Sequence, residues 1–168
     1  DSEKTAASIK TTAEITFSSF IQNDLLPCMI GKSSISLYLK PKQLLVMKLD
    51  DRRRSVIAPL ITMCMHLSIV ENLSKKRKNP FCYCIDEAPS LGVFAKLSEF
   101  INEYRSNGGI PIIGAQNLNQ FYELYGDKRG KALVSGLYTH ILFGPNDPGT
   151  AEEYSKKFGN KTVVTTSV

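Results

Sequence analysis

The sequence is poor in the residues that build metal centres and disulfide frameworks. Its 168 residues include 4 cysteines and 2 histidines. The cysteines form no C-x-x-C pair and do not have zinc-ligand spacing with the histidines. Cys82 and Cys84 lie two apart on a predicted strand, too close for a framework disulfide, so reduced, buried cysteines in a cytosolic protein are expected. His66 in an apolar helix and His140 in a strand are expected to be core or edge residues.

The sequence also lacks a secretory signal and a long apolar run. It has no charged n-region followed by an apolar h-region. No uninterrupted run approaches the roughly 18 apolar residues of a membrane span. The longest candidate, residues 57–73, is broken by a proline and by polar side chains, which indicates a buried helix. The chain starts without methionine and ends within a β-like run, so a piece of a longer protein is expected.

The composition is that of one folded domain. The chain is 42% hydrophobic and 22% charged, with a net charge of +5. Such values are close to globular averages. Two basic clusters, at residues 52–54 and 75–78, could attract the phosphates of a nucleic acid. The alternative is that both are solvated ends of elements, the second near a helix C-terminus.

Apolar periodicity and turn signals predict that helices alternate with short strands. Predicted helices cover residues 1–26 (ending at Pro27), 55–75, 93–106, a segment capped by Asn117, a segment capped by Asp127, and 147–158. Predicted strands cover residues 43–49, 81–85, 110–115, 138–143 and 162–165. Strands that alternate with helices require crossover connections and a mostly parallel sheet. The expected fold class is therefore α/β, a three-layer mostly parallel sheet flanked by helices.

Two adjacent acids follow the apolar strand at 81–85. Ligands of parallel α/β sheets bind beyond the carboxyl ends of the strands, where Asp86 and Glu87 lie and where Gln116 follows the next strand. An apolar strand that ends in Asp-Glu is the Walker B pattern. Its first acid holds Mg²⁺ and its second orients the water that attacks the γ-phosphate of ATP. This pattern alone is a weak signal, because acids at strand ends are common.

A loop that would hold the phosphates is missing from the sequence. The P-loop pattern is G-x-x-x-x-G-K-[ST]. Residues 31–33 (Gly-Lys-Ser) match only its last three letters, because Leu26 stands where the first glycine belongs. No strand is predicted before this segment and no clear helix after it, so it is interpreted as a decoy. The 168 residues are therefore not expected to hydrolyse ATP unaided.

From Asp86 onwards the chain resembles the TraG/TraD-type coupling proteins of conjugation and type IV secretion. The ordered agreement extends over roughly eighty residues and is more specific than any single motif. The matching runs are residues 86–92 (DEAPSLG), 102–105 (NEYR), 109–121 (GIPIIGAQNLNQF), 125–126 (YG), 141–147 (ILFGPND) and 150–153 (TAEE), followed by Gly159. Weaker agreement extends upstream through residues 40–51 and the helix after them.

The resemblance implies a RecA-like hexameric ATPase that uses ATP and Mg²⁺. Asp86 resembles the family's magnesium-associated acid, Glu87 its catalytic acid and Gln116 its sensing glutamine. Arg105, eighteen residues after Glu87, resembles the arginine that reaches into the nucleotide site of a neighbouring subunit. Without the family, Arg105 would be interpreted as a cation that balances a helix C-terminus.

The resemblance also implies partners and a location. Expected partners are single-stranded DNA or a nucleoprotein or protein substrate, the components of a type IV secretion channel, and further copies in a hexamer. The parent protein is expected at the cytoplasmic face of the bacterial inner membrane, and the piece itself is expected to be soluble and cytoplasmic. Residues 1–27 would be the end of an all-helical insert, and residues 28–168 the C-terminal part of an incomplete RecA-like nucleotide-binding domain without its P-loop part.

Two other interpretations remain open from the sequence. One is a piece of another translocating ATPase, such as an FtsK-like or HerA-like DNA pump or the ATPase of the secretion channel. The other is a non-catalytic binding module, in which Asp86 and Glu87 cap a helix or bind a divalent ion. The runs after Glu87 and Gln116 favour the coupling protein over the other pumps. A P-loop upstream in the parent gene would separate the coupling protein from the binding module.

Overall fold

The computed structural model describes residues 2–18, 20–21, 25–144 and 147–159. The α-helices are α1 (Ser2–Ser18), α2 (Leu26–Ile30), α3 (Arg54–Leu73), α4 (Leu97–Glu103), α5 (Asn119–Tyr125), α6 (Asp127–Gly136) and α7 (Pro148–Phe158). The strands are β1 (Phe81–Ile85) and β2 (Gly109–Ile113). Short 3-10 turns occupy Asp51–Arg53, Ala88–Leu91 and Tyr104–Asn107.

The two strands pair in parallel, with Phe81 opposite Gly109 and Ile85 opposite Ile113. They are joined by a crossover that contains α4, as the alternating sequence pattern predicts. Side chains alternate between the faces of a strand, so Phe81, Tyr83 and Ile85 point to the core. The opposite face carries four exposed side chains, which are Cys82, Cys84, Ile110 and Ile112.

The α/β class is therefore confirmed, but the predicted third layer is not found among the described residues. Parallel sheets are normally covered on both faces. The cysteines of β1 were expected to be reduced and buried. That expectation is wrong, because Cys82 and Cys84 are exposed on the open face. The sequence shows that β1 is apolar on both faces. It does not show whether any polypeptide covers the second face of the sheet.

Helix α3 forms one side of the core. Its buried residues recur at helical spacing and include Ile61, Met65, Ile69 and Leu73. They pack with the buried side of β1 and with residues of the later helices, such as Leu97, Phe100, Phe121 and Leu133. Burial of one such side chain contributes about 1.5–3 kcal/mol. The predicted helix at 55–75 is thus confirmed, and His66 packs against the ring of Phe100 at 5.0 Å between centroids.

One helix among the described residues, Asp51–Leu73, is long and apolar enough to cross a membrane by length and composition. The polar residues that interrupt residues 57–73 leave a mean hydropathy of 1.6, which is high enough for such a helix. Of its most apolar window, 44% is buried inside the structure. Its polar residues Ser68 and Asn72 are among the buried ones. This packing is that of a core helix, so the buried helix expected at 57–73 is found.

Two predicted strands do not form. Residues 43–50 and 137–144 have no regular secondary structure. Leu44, Val46, Ile141 and Phe143 are 86%, 75%, 77% and 88% exposed, so both segments show apolar side chains to solvent. Strand structure requires a hydrogen-bonded neighbour, and β1 and β2 pair only with each other among the described residues. Residues 162–165, the fifth predicted strand, lie outside the described residues.

The N-terminal region differs from its prediction, because the helix expected over residues 1–26 ends at Ser18. Helix α1 covers Ser2–Ser18 and has no buried residue. Pro27 does not end a helix but lies in the first turn of α2, where its missing N–H costs nothing. The segment 31–33 follows a helix rather than a strand, and residues 32–36 have no regular structure. This context does not fit a P-loop, in agreement with its interpretation as a decoy.

The remaining helices start close to their predicted positions, with two differences. Asp127 was expected to cap α6, but it is the first residue of that helix and pairs with Lys131. Asn117 caps α5 by accepting a hydrogen bond from the Gln120 N–H at 3.0 Å. Asp147 caps α7 by accepting from the Thr150 N–H at 2.7 Å. Helix α4, however, begins at Leu97 and not at residue 93. The reason is that Gly92 has a positive φ of 75°, which ends the preceding 3-10 turn and leaves Val93 57% exposed.

Candidate functional site

The acidic pair lies where β1 ends, in direct contact with the end of β2. The Gly114 N–H donates to the Ile85 carbonyl at 2.8 Å, and the Ala88 N–H donates to the Gly114 carbonyl at 2.8 Å. A Cβ on Gly114 would lie 3.1 Å from Asp86 Oδ1 and 3.3 Å from the Glu87 nitrogen. A larger residue at 114 would therefore press on the acidic turn. Gly114 was not among the predicted site residues, although a glycine in or beside a strand is a sign of close backbone approach.

Glu87 has an unusual backbone conformation. Its φ and ψ are 49° and 56°, in the left-handed region, where a non-glycine residue is uncommon. The conformation turns the chain sharply between β1 and the 3-10 turn at Ala88–Leu91, and the Glu87 carbonyl accepts from the Ser90 N–H at 2.9 Å. Strain of this kind costs on the order of 1 kcal/mol and is concentrated at functional sites. A glycine would avoid the strain, so keeping a carboxylate here points to a use for it.

The two carboxylates face different surroundings. Asp86 is exposed and Glu87 is half-buried. No group of three or more His, Cys, Asp or Glu side chains that could hold a metal occurs among the described residues. A complete protein cage for a cation is therefore not formed. Mg²⁺ is usually bound by one or two carboxylates together with water and phosphate oxygens, so the carboxylate donors present fit a Mg²⁺–nucleotide.

Gln116 lies two residues beyond the contact between Gly114 and the acidic turn. It is exposed, and its N–H donates to the Gln120 side chain at 3.2 Å. Gln116 also lines a cleft of about 780 Å³ between the end of β2 and the segment 137–144. The parallel strands β1 and β2 end at the same edge of the sheet. Gln116 does not line a cleft with Asp86 or Glu87 among the described residues, so the convergence of the three side chains stays a prediction.

Arg105 lies on a different part of the surface, in the 3-10 turn that continues α4. It is exposed, and its guanidinium carbon lies 4.7 Å from the centre of the Tyr138 ring. In the part of the chain that the structure describes, Arg105 forms no ion pair with Asp86 or Glu87. The contact with Tyr138 could not be predicted from the local sequence of either residue.

The basic clusters differ in their roles. Arg77 is structural, since its guanidinium donates to the Asn72 side chain and to the Leu39 carbonyl and lies over the rings of Tyr38 and Phe81. Its neighbours at 75, 76 and 78 are exposed. In the other cluster, Arg54 pairs with Asp51 at 2.6 Å. The structure therefore assigns one of these cations to the fold rather than to a ligand.

Comparison with known proteins places this geometry in a family. Residues 80–168 match the family model described as the TraM recognition site of TraD and TraG. The match spans more than half of the chain and includes the acidic pair, β2 and the later helices. The chain therefore belongs to the TraG/TraD family of coupling proteins, which confirms the resemblance seen in the sequence.

Solved structures of one plasmid coupling protein, TrwB, are similar to the chain. TrwB in complex with the non-hydrolysable ATP analogue ADPNP is 25% identical with a TM-score of 0.55, over 64% of this chain and 27% of TrwB. TrwB with the GTP analogue GDPNP is 25% identical with a TM-score of 0.56, over 65% of this chain and 27% of TrwB. The matched region thus spans about a quarter of TrwB. No curated protein sequence matches the chain.

Proposed function

We propose that this chain is part of the RecA-like motor of an ATPase that couples DNA or protein substrates to a conjugation or type IV secretion channel. The observation that carries the proposal is the contact between the acidic turn of β1 and Gly114 at the end of β2. It joins the turn that carries two carboxylates to the end of β2, and Gln116 would extend the site from two residues further along the chain. The binding of nucleotide analogues by TrwB supports the assignment of ATP as the ligand.

Each residue of the site has a proposed role. A bound Mg²⁺ would neutralise charge on the phosphates. Asp86, which is exposed, would hold that ion through a water molecule. Glu87 would orient the attacking water and accept its proton. The left-handed backbone of Glu87 would set the direction in which its side chain leaves the chain. Gln116 would contact the water or the γ-phosphate, and Arg105 would donate charge to a nucleotide bound by a neighbouring subunit.

The proposed site needs contributions from outside these 168 residues. A loop that cradles the phosphates would come from polypeptide beyond them, since the only sequence resembling its end, at 31–33, has the wrong context. Residues 1–27 would belong to an all-helical insert, and residues 28–168 to the motor domain. The arrangement of Arg105 away from Asp86 and Glu87 is the reason to propose a closed ring, a hexamer, of the parent protein.

The proposed partners follow from the family. The matched model is named for recognition of TraM, so a TraM-like protein is a proposed partner of residues 80–168. Single-stranded DNA or nucleoprotein is the proposed cargo, and the channel at the cytoplasmic face of the inner membrane is the proposed destination. Exposed lysines at 75, 76 and 78 would favour a phosphate backbone, which makes DNA binding weaker at higher salt.

The replacement of Glu87 by glutamine tests the proposal in the full-length protein. Glu87→Gln keeps the size of the side chain but cannot accept a proton. We expect ATP hydrolysis to fall at least about 100-fold, the usual contribution of a general base, while ATP still binds. Glu123→Gln, an exposed position on α5, is the matched control and should hydrolyse normally. Normal turnover by Glu87→Gln would remove the catalytic role and favour a binding module.

A further inference from the structure

We infer that Tyr138 is a positioning residue for Arg105. Its ring would hold the Arg105 guanidinium where it can reach the neighbouring subunit. The inference rests on the proposed trans role of Arg105. The guanidinium carbon lies 4.7 Å from the centre of the Tyr138 ring, within the distance of a cation–π interaction. Among the described residues, Arg105 forms no ion pair in addition to this contact.

The contact places a flexible side chain. Arg105 is at the exposed end of α4, where a guanidinium without a partner would sample many rotamers. The face of an aromatic ring carries negative electrostatic potential and attracts the cation, but it leaves all five N–H donors free for a phosphate. A carboxylate partner would instead neutralise the charge and occupy the donors. A ring is therefore the better support for an arginine that must bind an anion later.

The packing of α4 against α6 explains why Tyr138 lies there. The last residue of α6 is Gly136, and a Cβ on it would lie 2.8 Å from the Asn102 side-chain oxygen and 3.1 Å from Ile101 Cγ2. The absence of a side chain thus lets α6 approach α4 closely. Leu133 and Val134 are buried in the same helix, which fixes its position. Tyr138 follows two residues after this close contact and is 78% exposed, so its ring has no role in the core.

The test is steady-state ATP hydrolysis by variants of the full-length protein. Tyr138→Leu keeps apolar volume but loses the ring, whereas Tyr138→Phe keeps the ring and loses only the hydroxyl. We expect Tyr138→Leu to lower kcat roughly 2- to 5-fold, the size of a cation–π contact at an exposed site, with an unchanged KM for ATP. Tyr138→Phe should have the kcat of the wild type. Both variants should have the wild-type Tm, because the ring is not buried.

The outcomes separate this inference from the proposed function. If Arg105→Ala hydrolyses ATP normally, the trans role itself is wrong. If Arg105→Ala is inactive but Tyr138→Leu has normal kcat, only the positioning role is wrong. An equal loss in Tyr138→Phe and Tyr138→Leu would also overturn it, because the hydroxyl rather than the ring would then matter. A loss that appears in KM instead of kcat would assign Tyr138 to nucleotide binding and contradict the inference as well.

Discussion

The strands β1 and β2 and the segment 137–144 have similar apolar sequences but different structures. β1 and β2 pair along their whole length, and β1 buries alternate side chains against α3 and the later helices. The segment 137–144 is without regular structure, and Tyr138, Ile141 and Phe143 are mostly exposed. The difference shows that apolar composition gives a segment the capacity to be a strand. A neighbour that satisfies its backbone hydrogen bonds determines whether it becomes one.

The largest expected difference between the two regions is in stability. Leu133 of α6 is fully buried in the core that covers β1, whereas Phe143 is 88% exposed. We expect Leu133→Ala to lower the free energy of unfolding by about 2–5 kcal/mol because it leaves a cavity. Phe143→Ala should change it by less than about 0.5 kcal/mol. Urea unfolding measures both, and equal losses would mean that the segment 137–144 is packed in solution.

The second prediction concerns the link between α3 and the segment that precedes it. Asn72 is 2% exposed and accepts a hydrogen bond from the Leu39 N–H at 2.9 Å, while it donates to the Leu37 and Ser68 carbonyls at 2.7 Å each. Asn72→Ala removes the partner of the half-buried Leu39 N–H, whereas the Leu37 carbonyl keeps the Ser68 hydroxyl as a donor at 2.9 Å. We expect a loss of about 1–3 kcal/mol in urea unfolding and faster hydrogen exchange over 37–49.

The control for that experiment is Asn79→Ala, an exposed asparagine between α3 and β1. It should be within about 0.5 kcal/mol of the wild type. If Asn72→Ala speeds exchange everywhere to the same extent, then the segment 37–49 unfolds only together with the whole domain. That result would contradict a local anchoring role for Asn72.

The third prediction examines the contact between β1 and β2 at the site. In Gly114→Ala the new Cβ would lie 3.1 Å from Asp86 Oδ1 and 3.3 Å from the Glu87 nitrogen, so the acidic turn must move by a few tenths of an ångström. We expect ATP hydrolysis by the full-length protein to fall roughly tenfold, since catalysis depends on such positions. Ala115→Ser, at an exposed neighbouring position, should keep full activity. Full activity of Gly114→Ala would show that the turn tolerates movement.

The smallest expected effect is a pH dependence at the start of α7. Hydrogen bonds from the backbone and side chain of Thr150 lower the pKa of Asp147 below its usual 3.8. The unfolded chain therefore binds the proton more readily. The stabilisation is complete above about pH 4 and is lost as the pH falls towards the lower folded pKa. Acid unfolding of Asp147→Asn should lack this part of the dependence, and an identical profile would exclude the capping carboxylate as its source.

The parts of the fold that follow local rules could be predicted from the sequence. Three features depend on residues that are close in the chain. They are the end of β1 at Ile85, the acidic pair Asp86–Glu87, and the cap of α7 at Asp147. The rule that ligands bind beyond the carboxyl ends of parallel strands is the basis for expecting Gln116 near the acids, and that part stays a prediction. The contact of Gly114 with the acids followed from the same topology, although only the structure showed how close it is.

The features that were missed depend on distant parts of the chain. The helix crossing at Gly136 places Tyr138 beside Arg105, and nothing in the local sequence of either residue encodes that crossing. The strands expected at 43–49 and 138–143 failed for a related reason, because strand pairing is a property of two segments. The exposure of Cys82 and Cys84 likewise depends on which layer covers the second face of the sheet.

The open face of β1 gives the protein two built-in chemical reporters. Cys82 and Cys84 point to the same side of the strand, so a reagent that modifies one has access to the other. Partial burial and the neighbouring Cys84 raise the pKa of the Cys82 thiol. Alkylation of Cys82 should therefore be slow at neutral pH and accelerate under alkaline conditions, because only the thiolate reacts.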